Sequence, residues 1–159
     1  MNTLYLLLGS NMGNSKTQLA KAIRNIEMQI GKATRQSSIY TTAAWGNTKQ
    51  PDFLNQVIIV KTKLNAEQTM QTILSIEKKM GRVRTVKNAP RIIDIDILFF
   101  NKEIIELLQL SVPHPQIQNR RFVLIPLNQL SPNLKHPVLK KSVHQLLIHC
   151  PDKLNVKKF

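Results

Sequence analysis

The hydrophobic patterning of this 159-residue chain predicts an α+β fold of the ferredoxin-like, split βαβ kind. A βαββαβ antiparallel sheet should carry two helices on one face, followed by a C-terminal extension of short elements. Three observations predict it. Two segments hold apolar residues at helical spacing, and each lies between short runs rich in β-branched and aromatic residues. Gly31 and Gly81 follow those two helical segments as stops. Beyond Asn101, prolines at 113, 115, 126, 132 and 137 cut the pattern into short pieces.

In chain order, residues 3–8 form an apolar first strand, and Gly9-Ser10-Asn11-Met12-Gly13-Asn14 a turn. That turn resembles a phosphate-cradling loop but lacks the Gly-Lys-Ser/Thr ending, so it reads as structural. Ser15 and Gln18 form a capping-box pattern, and a helix to about residue 30 places Leu19, Ala22, Ile23 and Ile26 on one face. Residues 34–42, rich in Ser, Thr and Tyr, read as a strand. A loop over 43–52 holds the only tryptophan, Trp45. A strand over 53–64 is centred on Val57, Ile58, Ile59 and Val60. A helix over 66–80 carries Met70, Ile73, Leu74 and Glu77 on one stripe. Glu77 therefore faces the core, where a carboxylate needs a partner. Residues 142–149 form a last short helix.

Composition bounds the rest. The length suits one domain over residues 1–159. No apolar run approaches the roughly 20 residues of a membrane span, and the first apolar run has no basic flank of a signal peptide. A single cysteine, Cys150, excludes an internal disulfide and suits a reducing cytoplasm. The net charge of +14, from 23 Lys and Arg against 9 Asp and Glu, attracts anions: nucleic acid, acidic membrane or nucleotide phosphates.

The chemistry concentrates in residues 81–100, GRVRTVKNAPRIIDIDILFF. A basic loop with Arg82, Arg84, Lys87 and Arg91 runs into an apolar strand interrupted by Asp94 and Asp96. Strand side chains alternate faces, so both aspartates point one way, roughly 6–7 Å apart at about 3.3 Å rise per residue. Two unpaired carboxylates there would be costly. A pair of hard divalent ions bridging a polyphosphate would resolve them, with the loop cations on the phosphate oxygens. The alternative is a structural network in which the aspartates pair with Arg82 and Arg91. With almost no apolar anchor, the loop from 82 to 91 is expected to act as a lid.

Five motifs, in order, resemble the hydroxymethyl-dihydropterin pyrophosphokinases of folate biosynthesis: Gly9-Ser10-Asn11; Gln50-Pro51-Asp52-Phe53-Leu54-Asn55; Gly81-Arg82-Val83-Arg84 with Pro90-Arg91-Ile92-Ile93-Asp94-Ile95-Asp96; Val112-Pro113-His114; and Asn119-Arg120-Arg121-Phe122. The resemblance implies transfer of the pyrophosphoryl group of ATP to the hydroxymethyl oxygen of 6-hydroxymethyl-7,8-dihydropterin, with release of AMP. It implies two magnesium ions on Asp94 and Asp96, phosphate contacts from Arg82, Arg91 and Arg120, and a nucleotide site with Arg84, Ile97, Ser111 and His114. Arg82, Arg91, Asp94 and Asp96 would be the catalytic set. The pterin would stack between Phe53 and Phe122, with Asn55 on its edge, Asp94 beside it and Thr42, Ala43 and Trp45 as its wall. ATP and the pterin are the expected partners, without nucleic acid or membrane, for a cytoplasmic monomer.

The chain departs from the family pattern at Asn88-Ala89-Pro90-Arg91, where many members have an aromatic residue before Gly-Pro-Arg, and its loop is one residue shorter. Leu74, Gln109 and Pro115 replace residues that often help hold the nucleoside. Trp45 is expected to supply the missing ring surface. Two rivals remain: an RNA-binding module of the same topology, disfavoured because no strand carries adjacent RNP-type aromatics, and a non-catalytic interaction domain.

Overall fold

A computed structural model describes residues 1–43, 50–83 and 89–159. Trp45, Arg84 and the centre of the expected lid lie outside the described residues. Strand β1 (Asn2–Ser10) is followed by α1 (Ser15–Gln29), β2 (Gly31–Gln36), β3 (Tyr40–Thr42), β4 (Phe53–Thr62), α2 (Ala66–Lys79) and β5 (Asp94–Phe100). A hairpin of β6 (Ile105–Leu107) and β7 (Leu110–Val112) leads to a 3-10 turn (Ile117–Asn119), α3 (Arg121–Leu130), α4 (Val143–Ile148) and β8 (Val156–Lys158).

The main sheet is antiparallel in the order β5-β1-β4-β3-β8, with β2 also paired to β4. This is the βαββαβ arrangement, with one refinement. The single strand expected over 34–42 is two, because Ser37 interrupts the ladder: its Oγ accepts from the Val57 amide at 2.9 Å while its own amide donates to the Val57 carbonyl at 2.8 Å.

Alternation along β1 explains the layers. Leu4, Leu6 and Leu8 pack with Leu19, Ala22 and Ile26 of α1 and Ile73 and Ile76 of α2. Leu7 faces the other way, into a second core with Val57, Leu98, Val123, Leu124 and Leu127. The two helices expected on one face are α1 and α2, and α3 and α4 of the C-terminal extension cover the opposite face. Sequence reading missed α3 because Pro126 lies inside it. Proline deletes one helical hydrogen bond, but the burial of Val123, Leu124, Leu127 and Leu130 outweighs that loss.

Two local signals also read differently. Asn14, not Ser15, caps α1, its side chain accepting from the Thr17 amide. Gly31 does not cap that helix but opens β2, where an added Cβ would lie 1.9 Å from the Lys61 carbonyl oxygen. Gly81 does end α2 in the left-handed conformation, at φ 95°.

Candidate active site

Register builds the site. Antiparallel pairing sets Gly9 of β1 opposite Asn55 of β4 on one side and Asp94 of β5 on the other; Leu7 likewise faces Val57 and Asp96. Paired residues share a sheet face, so Leu7 and Gly9 form a floor between the two aspartates and the amide of Asn55. Phe53 and Asn55 on β4, Thr42 and Ala43 at the end of β3, and Arg120 and Phe122 at the start of α3 close the walls, with Arg91 beside the aspartates. The empty space between these walls amounts to about 650 Å³ including its open mouth. The Thr42 hydroxyl, on the pocket wall, is buried and makes no hydrogen bond among the described residues, a polar atom suited to a ligand's polar edge.

Gly9 is required by space. A Cβ there would stand 2.9 Å from Asn55 Oδ1. Gly9→Ala is therefore expected to push the Asn55 amide out of place and to weaken binding of the pterin that the resemblance implies by about tenfold, the worth of one good hydrogen bond. ATP affinity and thermal midpoint should hardly change; titration of both ligands checks this, and an unchanged pterin constant would refute it.

Arginines converge on the acids. Arg82 Nη1 donates to Glu77 Oε2 at 2.8 Å and to Asp94 Oδ1 at 2.6 Å, and Arg91 Nη1 donates to Asp94 Oδ2 at 3.1 Å. Glu77, only 3% exposed, also accepts from the Ile95 amide at 2.8 Å; this is the partner its core-facing position demanded. Arg91 lies over the Phe53 ring at 5.5 Å and Arg120 over Phe122 at 5.8 Å. The salt-bridge reading of the two aspartates thus holds for Asp94 but not for Asp96, which forms no hydrogen bond or ion pair among the described residues. Burial, then the charges of Asp94 and Glu77, push the Asp96 carboxyl up to about 7, against the lowering influence of Arg120 and Arg82.

Asn11 went unassigned a role in the sequence reading, although it ends the Gly-Ser-Asn motif. It is 2% exposed. Its Oδ1 accepts from the Arg91 amide at 2.9 Å, its own amide donates to the Arg91 carbonyl at 3.2 Å, and its Nδ2 donates to Gln50 Oε1 and the Pro51 carbonyl. It ties the stretches before Arg91 and Phe53 to the end of β1.

Of the residues expected in the nucleotide site, Ile97 lies not in the main pocket but in a second cleft of about 530 Å³, with Leu74 of α2 and Gln109 of the hairpin; Asp94 and Asp96 border both cavities. His114 follows β7. Burial first, and the charge of Arg120 second, lower its pKa to about 4, so the ring is neutral at pH 7. Its Nδ1 accepts from the Gln116 amide at 3.1 Å, which leaves the proton on Nε2. Ser111 donates to Glu106 across the hairpin at 2.9 Å and lines neither cavity.

The donor set fits a hard cation. Among the described residues no group of three His, Cys, Asp or Glu gathers, and two carboxylates with the remainder of the coordination left to water and phosphate oxygens is the usual magnesium arrangement. The Asp96 carboxylate, without an ion pair among the described residues and desolvated beside other acids, would be stabilised by such an ion. No helix among the described residues is long and apolar enough to cross a membrane.

Residues 5–132 match the family described as 7,8-dihydro-6-hydroxymethylpterin-pyrophosphokinase. The chain is 40% identical to the 2-amino-4-hydroxy-6-hydroxymethyldihydropteridine pyrophosphokinase of Aquifex aeolicus over 91% of its length and 90% of the relative's. It is 42% identical to that of Bacillus subtilis over 81% and 78%. Its fold matches the crystal structure of Plasmodium falciparum HPPK-DHPS with a TM-score of 0.74 at 22% identity, covering 93% of this chain and 43% of that longer one. The chain belongs to the 7,8-dihydro-6-hydroxymethylpterin-pyrophosphokinase family.

Proposed function

We infer that the protein carries out its family's reaction in folate biosynthesis, with Asp94 and Asp96 at the point where its two substrates meet. The observation that carries this reading is the pair of cavities sharing those two aspartates. The pocket with Phe53, Phe122, Asn55 and Thr42 suits a flat heterocycle with polar edges. The second cleft, with Leu74, Ile97 and Gln109, suits a nucleoside.

The hydroxymethyl oxygen attacks the β-phosphorus of ATP, the bond from that phosphorus to the α,β-bridging oxygen breaks, AMP departs, and the hydroxyl proton is lost. Such a transfer needs positioning and charge neutralisation more than covalent help. Asp94 and Asp96 would hold magnesium, two ions in the arrangement the resemblance implies, which neutralises the triphosphate when bound. Arg91 and Arg120 line the main pocket and Arg82 bonds Asp94 beside it; all three would take phosphate oxygens. Glu77 holds Arg82 in place through their 2.8 Å ion pair. The neutral His114 offers Nε2–H as a donor without adding charge.

Incubation with ATP, magnesium and the pterin alcohol tests this directly. AMP and the pterin diphosphate should accumulate in equal amounts. ADP as the nucleotide product would indicate simple phosphoryl transfer and overturn the reading. A binding or interaction role without chemistry would leave ATP intact.

A further inference from the structure

The C-terminal segment lies beyond the matched family region, residues 5–132, and carries none of the five motifs. It nevertheless touches two walls of the main pocket. Asp152 is 8% exposed. Its Oδ2 accepts from the Arg121 amide at 3.0 Å and its Oδ1 from the Leu154 amide at 2.9 Å. Four residues on, β8 pairs with β3, setting Val156 opposite Thr42 and Lys158 opposite Tyr40, and the Phe159 amide donates to the Ile39 carbonyl at 2.9 Å.

The need for a remote cap follows from the start of α3. The first amides of a helix have no partner within it, and a Ser, Thr, Asn or Asp just before the helix normally supplies one. Here that position is Arg120, which makes no capping bond, and its side chain lines the pocket instead. A residue committed to the pocket cannot also cap the helix. Asp152, from 31 positions further along, accepts from the first helical amide and sets a negative charge at the positive end of the helix.

We propose that Asp152 is a positioning residue for the pterin pocket: it fixes the first turn of α3, and so the placement of Phe122 and Arg120, from the C-terminal segment. This deepens the pocket assignment made above and rests on it.

The test compares Asp152→Ala and Asp152→Asn in the full chain with wild type, and with Ile26→Val, a core change in α1 on the opposite face. Pterin affinity, KM for each substrate and thermal midpoint are measured. Asp152→Ala should raise both the pterin Kd and the pterin KM about fivefold, as loss of a helix cap predicts. Asp152→Asn keeps one oxygen, enough for the Arg121 amide but not for the Leu154 amide as well, and loses the charge, so its pterin constants should fall between those of wild type and Asp152→Ala. Ile26→Val should lower the midpoint and leave the pterin constants unchanged. If Asp152→Ala lowers the midpoint but leaves pterin Kd and KM at wild-type values, its role is purely one of stability and the proposal fails. If wild type itself binds no pterin, the pocket assignment fails first, and the proposal with it.

Discussion

Asp96→Asn is expected to abolish magnesium-dependent transfer and, in metal-free buffer at pH 8, to raise the thermal midpoint. The Asp96 carboxyl stands at about 7 in the folded protein, raised mainly by burial and then by Asp94 and Glu77, against an ordinary 3.8. Between about pH 4 and 7 the folded state therefore binds more protons than the unfolded state, so stability falls as pH rises through that window. Above pH 7 the full cost of the charged group is present; below about pH 4 it is absent. At about 1.4 kcal/mol per pKa unit, the uncharged isostere should gain a few kcal/mol at pH 8 and nothing at pH 4. One kcal/mol moves the midpoint by about 2–4 °C in a chain of this size, so the rise should be several degrees. Magnesium with a non-hydrolysable ATP analogue should stabilise wild type and leave the variant nearly unmoved, because the ion has lost a ligand. A variant less stable than wild type at pH 8 would contradict this account, as would one that keeps its activity. On this reading the site is arranged for a cation, and the fold bears the electrostatic cost of waiting for it.

Arg82→Leu is expected to be destabilising and inactive, for separable reasons. The guanidinium sits between Glu77 and Asp94, its side chain 12% exposed and that of Glu77 4%. Its removal leaves a buried carboxylate without its cation, a change that costs about 3–5 kcal/mol. Activity should fall at least about 10³-fold if this arginine also stabilises charge on the transferred group, as arginines do in other phosphoryl transfers. Glu77→Gln in the same chain should recover much of the lost stability, since the amide oxygen still accepts from the Ile95 amide while the unpaired charge is gone. It should not recover activity. Denaturant unfolding and turnover measured on both variants separate the effects. Recovery of turnover by the second change would mean that Arg82 serves only to neutralise Glu77.

Most of the sheet was legible because its signals are local. The apolar runs at 4–8, 57–60 and 95–100 and the helical stripes of α1 and α2 state their own periods. The pairing of those strands follows from the order of elements. The aspartates' shared face followed from strand alternation alone. The family motifs brought in Asn55, Phe122 and Arg120, for which no local pattern specifies a role. What local pattern could not reveal was α3, where Pro126 hides a helix that only burial against the sheet explains, and the true cap of α1, where two adjacent capping residues compete.

The chain's sequence by itself thus determined the class of fold, the family, and the residue types available for phosphate and metal, because periodicity and motif order are properties of neighbours along the chain. Tertiary structure decided how those residues are used. Only register sets Asn55, Gly9 and Asp94 in one row, only packing separates Asp94, paired with two arginines, from Asp96, whose carboxylate has no such pair among the described residues, and only chain return brings Asp152 to the Arg121 amide. Each of these depends on contacts between residues tens of positions apart, whose energies are set by distance and burial in space and leave no mark in the spacing of the sequence.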